Sequence, residues 1–384
     1  MNRLILIGNG FDLAHGLKTC YKDFIYWYIQ KSFVKANNDG IYKDRLITIT
    51  TIGRKFSYYE EEQLLRWIDE YLSKIEHPKR RKPGLRVGWS DSKRIDMSPF
   101  EVHFESNLLE PILSSCNVSN WVDIEGEYYE LLKDILEMKD TEARQPELVN
   151  LNESLSFIIS QLEEYLSTLP VAPFLEGYKT IFSSAISGGD LYPKRSEKSV
   201  SPNQTYVLNF NYTNTAEQYV KRIKVSGTGL SPVLNYIHGK LQDIDNELIF
   251  GFGDETDSAY KRMEDDIKVK GYFDYIKSFW YLRTDNYRSL VNFLDSEDYQ
   301  VYVLGHSCGL SDRTMLQMIF EHQKCRSIKI FFHEHNNDDN FVSLTHEIAR
   351  HFTDKGLMRK KIKSKRGSTP MPQHDDRHAD QPLN

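Results

Sequence analysis

Hydrophobic positions change their period along this chain. Leu4 to Ile7 form an unbroken apolar run closed by Gly8, the pattern of a short strand buried on both faces. The middle then turns helical. In EEEQLLRWIDEYLSKIE, Leu64, Leu65, Ile68, Leu72 and Ile75 recur at steps of three and four, which predicts an amphipathic helix. NWVDIEGEYYELLKDILEM and NESLSFIISQLEEYLSTL repeat that spacing. Short β-rich runs return afterwards as TYVLNF, LNYIH, LIFGF, QVYVLG and SIKIFFH, separated by helical or turn segments.

Alternation of strands and helices predicts an α/β fold, a Rossmann-like parallel sheet with helices on its faces. The first strand joins that sheet, so residues 1–355 read as one α/β domain with a large helical insertion at about 40–200. The stretch 356–384, basic and then rich in Pro, Ser, His and Asp, reads as a disordered tail. A Lys-, Arg-, Pro- and Gly-rich stretch over 79–94 reads as a solvated loop or a contact patch.

Composition narrows the class. A chain of 384 residues, 40% hydrophobic and 27% charged, has ample material for a core. Its net charge of −6 provides no overall field toward nucleic acid or membrane. The cysteines Cys20, Cys116, Cys308 and Cys325 form no C-x-x-C pair, which argues against a zinc ribbon or a redox dithiol. The apolar run at the start is too short for a secretory core and no stretch reaches the ~20 residues of a membrane span, so a cytoplasmic protein is expected.

Candidate chemistry sits at strand ends. Gly8-Asn9-Gly10 is a strand-exit G-x-G, where backbone N–H groups can approach a pyrophosphate. The third glycine of a dinucleotide fingerprint is replaced by Leu13, and Gln30 and Lys31 stand where an acidic ribose ligand belongs. Asn209 and Asn211 end the next strand, with Thr213 or Asn214 placed to cap a helix; they serve either a ligand or the turn backbone. His238, before Gly239, is either a general base near neutral pH or a structural histidine. Gly305-His306-Ser307-Cys308-Gly309 matches the nucleophile elbow G-x-S-x-G, with Asp339 and His346 following in triad order. Ser311-Asp312 instead looks like the true helix start, which leaves Ser307 in a loop. His333 and His335 share a strand face and could hold a metal, but no further ligand lies near them in sequence.

The segments LILIGNGFDLAHGLKTCYKDF, WVDIE, LNFNYTNTAEQY, YIHGKL, LIFGFGDE and VLGHSCGLSD together resemble the AbiH family of bacteriophage abortive-infection proteins over residues 1 to 350. The same landmarks are more distantly similar to sirtuin-like NAD-binding domains, in the order G-x-G, N-x-N, H-G and G-x-S. That resemblance implies a sirtuin-like sheet holding NAD against Gly8, Asn9, Gly10, Phe11, Asp12, Asn209, Gly305, His306, Ser307 and Asp312. It further implies His238 as base and Asn211 as orienting amide in hydrolysis of NAD to nicotinamide and ADP-ribose, without metal. The absent cysteine pairs argue against deacetylation. A phage-derived trigger and a homo-oligomer go with that reading. The alternatives are a module that senses NAD or ADP-ribose without consuming it, and a serine hydrolase using Ser307.

Overall fold

The computed structural model describes residues 1–374 apart from 54, 58–60, 75–94, 98, 114–123, 194–197, 224–229, 256, 336 and 337. The basic stretch 79–94 and Cys116 therefore lie outside the described residues. The chain divides into two compact units, Met1–Thr19 with Leu169–Thr256 and Lys277–Asn384, and Cys20–Thr168 with Asp257–Ile276.

The first unit is built on six strands, β1 (Asn2–Ile7), β2 (Thr205–Asn209), β3 (Val233–Tyr236), β4 (Tyr299–Leu304), β5 (Cys325–Phe332) and β6 (Thr369–Pro370). Their order across the sheet is β6-β5-β4-β1-β2-β3, and every pair is parallel. Buried on both faces, β1, β2 and β4 carry side chains that alternate between two cores. Leu4, Leu6, Leu208, Val301 and Val303 join one, against α2 (Asn286–Ser296) and α3 (Arg313–Glu321). Ile5, Ile7, Val207, Tyr302 and Leu304 join the other, with Phe11 and Ala14 of α1 (Asn9–Ala14) and with Tyr178 and Phe182. After β1 the chain turns to α1 on one face, and after β4 it turns to α3 on the opposite face. The neighbouring strands β1 and β4 thus send their connections to opposite faces, the kind of switch point at which open parallel sheets bind ligands.

The second unit holds the expected helices at Glu61–Lys74, Ile124–Leu136 and Thr141–Ser167. Asp140 caps the last of these by accepting from the backbone N–H groups of Glu142 and Ala143. The unit is not purely helical. Ile41–Lys43, Ile47–Thr51, Phe100–Phe104 and Ile95–Met97 pair as an antiparallel four-stranded sheet. This unit spans Cys20–Thr168 and takes in Asp257–Ile276.

Two further expectations are corrected. LIFGF forms no strand; Leu248, Ile249 and Phe250 are apolar because they are buried, not because they pair. The tail is ordered well beyond residue 356. Lys355–Lys361 is a helix, Thr369–Pro370 adds β6 beside Phe331–Phe332, and Leu357, Met358, Ile362 and Met371 pack on the cores. Buried Lys361 donates from Nζ to the Phe320 and His322 carbonyls at the carboxyl end of α3. Basic residues between those apolar positions gave the segment the composition of a solvated tail. Met371→Ala should accordingly cost about 2 kcal/mol, measured as the change in urea unfolding free energy; a change within ~0.5 kcal/mol would return the segment to the surface.

Candidate functional site

All the strand-end residues singled out in the sequence lie at one edge of the first unit's sheet, because its strands are parallel. Two of them, His238 and His306, converge together with Lys277 on one buried carboxylate, Asp312. Asp312 Oδ1 accepts from Lys277 Nζ at 2.9 Å and lies 3.1 Å from His238 Nε2; Oδ2 is 3.8 Å from His306 Nε2. All four side chains are at least nine-tenths buried, and Lys277 is only 1% exposed. Phe210 wedges edge-on against both imidazoles, with ring centroids 5.0 Å from His238 and 4.1 Å from His306. Tyr281 places its hydroxyl 3.1 Å from His238 Nε2.

Burial alone would push the Asp312 carboxyl up; the Lys277 ammonium and the two imidazoles outweigh it and hold Asp312 well below the usual carboxylate range. Burial, joined by the Lys277 charge, pulls His238 below its ordinary value against the opposing pull of Asp312. Burial also takes His306 down to about 4. At neutral pH the group is an ion pair with two neutral imidazoles. His306 Nδ1 accepts from the Cys308 backbone N–H at 2.9 Å, which leaves its proton on Nε2, toward Asp312. His238 is bonded at its backbone-facing side to Phe210 as well as to the Asp312–Tyr281 side. A second proton on its ring would find an acceptor already in place.

Asp312 stands at the helix start, as expected, directly before α3, but its side chain makes no cap bond: Oδ1 is engaged by Lys277 and His238, and Oδ2 faces His306. Lys277 and Tyr281 were missed. They lie in GYFDYIKSFWYL, whose aromatic pattern carries no sign of a buried ammonium.

A second buried group forms beside β1. Thr213 donates to Asp12 Oδ2 at 2.5 Å, and Asn211 Nδ2 donates to the Gly8 carbonyl at 3.1 Å. Asn209 Oδ1 accepts from the Asn211 backbone N–H. Two buried polar atoms stay without partners here, Asp12 Oδ1 and Asn209 Nδ2. Thr213 caps no helix; its hydroxyl goes to Asp12, and the next helix begins only at Glu217. Burial pushes the Asp12 carboxyl up to about 6, against the opposing bonds of Thr213, Thr215 and Asn211. With a folded pKa above the unfolded 3.8, Asp12 favours the native state at low pH, and that contribution is lost as pH rises from about 4 to about 6. His306 changes stability in the opposite sense over the same window, so the comparison must be between variants. Asp12→Asn should gain on wild type by about 2 kcal/mol between pH 4 and pH 7, read from urea unfolding at both; a pH-independent difference would place the Asp12 pKa near its ordinary value.

The glycines have a local explanation. A Cβ on Gly8 would come within 2.5 Å of His306 Cα, and the Gly10 N–H donates to the Gly305 carbonyl at 2.8 Å. Gly305, at φ +72°, could carry no Cβ without striking the Phe11 nitrogen. The loops after β1 and β4 pack on each other through these contacts. Phe11 is wholly in the core, and Asn9 accepts from the Thr19 hydroxyl.

Ser307 is exposed, and the left-handed residues of its loop are Gly305 and Cys308, not the serine as a nucleophile elbow requires. Asp339 pairs with Lys365, and His346 is exposed. That geometry gives Ser307 no triad among the described residues. His333 and His335 are exposed and stack 6.4 Å apart, with no third ligand among the described residues. No helix among the described residues is long and apolar enough to cross a membrane.

A family model described as bacteriophage abortive infection AbiH matches residues 4–334, most of the chain. No curated protein matches it.

Proposed function

The chain belongs to the AbiH family of bacteriophage abortive-infection proteins, and from that premise we propose that it is a cytoplasmic defence effector that binds NAD at the carboxyl edge of its sheet and hydrolyses it to nicotinamide and ADP-ribose. One observation carries the reading. The loop after β1, the Asn209–Asn211 turn, His238 and the Gly305–Asp312 loop meet at the carboxyl ends of four adjacent parallel strands, ordered as in Rossmann-like dinucleotide-binding sheets. The orphaned acceptor Asp12 Oδ1 and donor Asn209 Nδ2 support it further, since buried polar atoms without partners suit a ligand that supplies them.

In the reaction the N-glycosidic bond breaks with its electron pair going to nicotinamide, and water oxygen bonds to the ribose carbon. The proton released by that water goes to His238, a buried imidazole that is neutral before the step and has Asp312 beside it to stabilise the imidazolium. Asn211, with its nitrogen on Gly8, offers its amide oxygen to orient the water or the ribose. No metal enters these steps.

A second reading is favoured by one feature: both sides of the His238 ring are already engaged, which suits a site that holds NAD or ADP-ribose without turning it over. Incubating the purified chain with NAD, alone and with phage-infected lysate, and quantifying nicotinamide and ADP-ribose by mass spectrometry tests the proposal. Products establish the hydrolase. Calorimetric binding of NAD with no products in either mixture leaves the sensor, and neither binding nor products removes both.

A further inference from the structure

One segment of the first unit carries a charge pattern opposite to that of the whole chain. Against a net charge of −6, seven of the twelve residues from Lys355 to Arg366 are Lys or Arg, and none is Asp or Glu. Its apolar residues Leu357, Met358 and Ile362 pack on the core. Three of its cations are engaged inside the fold. Lys361 holds the carbonyls at the end of α3, Lys355 donates to the Ala349 and Phe352 carbonyls, and Lys365 pairs with Asp339. Arg359, Lys360 and Arg366 are exposed and meet no acidic side chain among the described residues. From Ile362, which bridges Ile328, to Thr369, the partner of Phe331, the segment runs beside β5 in the same direction. Its cations are therefore strung along the sheet's edge rather than gathered at one point.

An aromatic ring outside the core stands at the start of this track. Tyr192 is 45% exposed. Its backbone N–H donates to the Arg326 carbonyl at 2.9 Å, near the start of β5, and Lys360 Nζ lies 5.7 Å from its ring centre. Lys363 holds the same loop, through the Gly189 carbonyl at 3.2 Å and Asp190 at 3.3 Å. The acids bordering the track each have a basic partner: Asp190 has Lys363, Asp298 has Arg326 and Asp339 has Lys365. A tethered, half-exposed ring beside a line of unpaired cations matches a single-stranded nucleic acid, whose unpaired bases stack on aromatic faces and whose phosphates follow positive charge. A membrane fits less well, because the helix Lys355–Lys361 already buries its apolar residues in the protein and keeps none for lipid.

We propose that Tyr192, Arg359, Lys360 and Arg366 form a docking surface for single-stranded nucleic acid, with a base stacked on Tyr192 and the following phosphates on the three cations. The surface begins at the amino-terminal end of β5, away from the strand-end cluster, and does not depend on the proposed hydrolysis.

The experiment is fluorescence anisotropy of labelled RNA and DNA oligonucleotides with the full chain, across a salt titration. Three phosphate contacts predict that log affinity falls with log salt at a slope of about −2. Tyr192→Ala should weaken binding by about 5- to 100-fold with that slope unchanged, and Tyr192→Trp, which keeps a ring for the base, should restore it. Arg359→Ser combined with Lys360→Ser should bring the slope to about −0.7. Binding of either strand in this pattern supports the proposal, and the tighter one identifies the sugar. No binding of either strand to wild type, or unaltered affinity in Tyr192→Ala, overturns it. So does binding of polyglutamate or of phosphatidylserine vesicles as tight as that of the oligonucleotides.

Discussion

Lys277→Met should cost the fold about 3–5 kcal/mol in urea unfolding at pH 8, because it strands the Asp312 carboxylate in a buried site without its cation. Adding Asp312→Asn should recover part of that loss, since a neutral pair of similar size removes the uncompensated charge. The loss should also depend on pH. The Lys277 charge is one of the influences that depress His238, so without it the imidazole titrates higher and can take over as the counter-charge. An imidazolium's contribution is present below its pKa and lost as pH rises through it, so the variant should be less impaired at pH 5.5 than at pH 8. A cost within ~0.5 kcal/mol at both pH values would mean that the ion pair does not hold this cluster together.

The second large effect concerns turnover. His238→Ala should lower nicotinamide release by about 10²–10⁴-fold, the range that positioned proton transfer supplies, with NAD affinity within a few-fold of wild type. The thermal midpoint needs checking alongside, since His238 also packs on Phe210 and bonds toward Asp312. Unchanged product formation by a folded His238→Ala chain would remove His238 as base while leaving Asp12 and Asn209 open as contacts to NAD.

The sheet was legible in the sequence where a strand is buried on both faces, because the segments Leu4–Ile7, Tyr206–Leu208 and Val301–Leu304 are then apolar. Parallel strands bring all their ends to one edge, so reading the strands also placed the candidate residues on a common edge. The antiparallel sheet escaped notice although Ile47 and Ile49 alternate with threonines in it, since helices on either side dominate the local pattern. Asp312 was read as a helix-start acid because its neighbours in sequence say so. Its true partner, Lys277, is brought to it by folding alone, from thirty-five residues away. The shape of the glycine loops was likewise set at a distance, by the approach of Gly305 and His306 to Gly8 and Gly10. Thr369–Pro370 is too short to show a period, so β6 had no signal to read.

The central position of β1 bears on when the protein can become active. It precedes its neighbours in the chain by some two and three hundred residues, since they begin at Thr205 and Tyr299, and the carboxylate at the heart of the cluster is Asp312. At about 5–20 residues per second, a ribosome needs roughly 15–60 s to make the stretch between β1 and that carboxylate. Pairings so remote in sequence also form late in folding. Chains abandoned before about residue 312 cannot assemble the cluster, so under the proposed reading an incomplete chain has no working site.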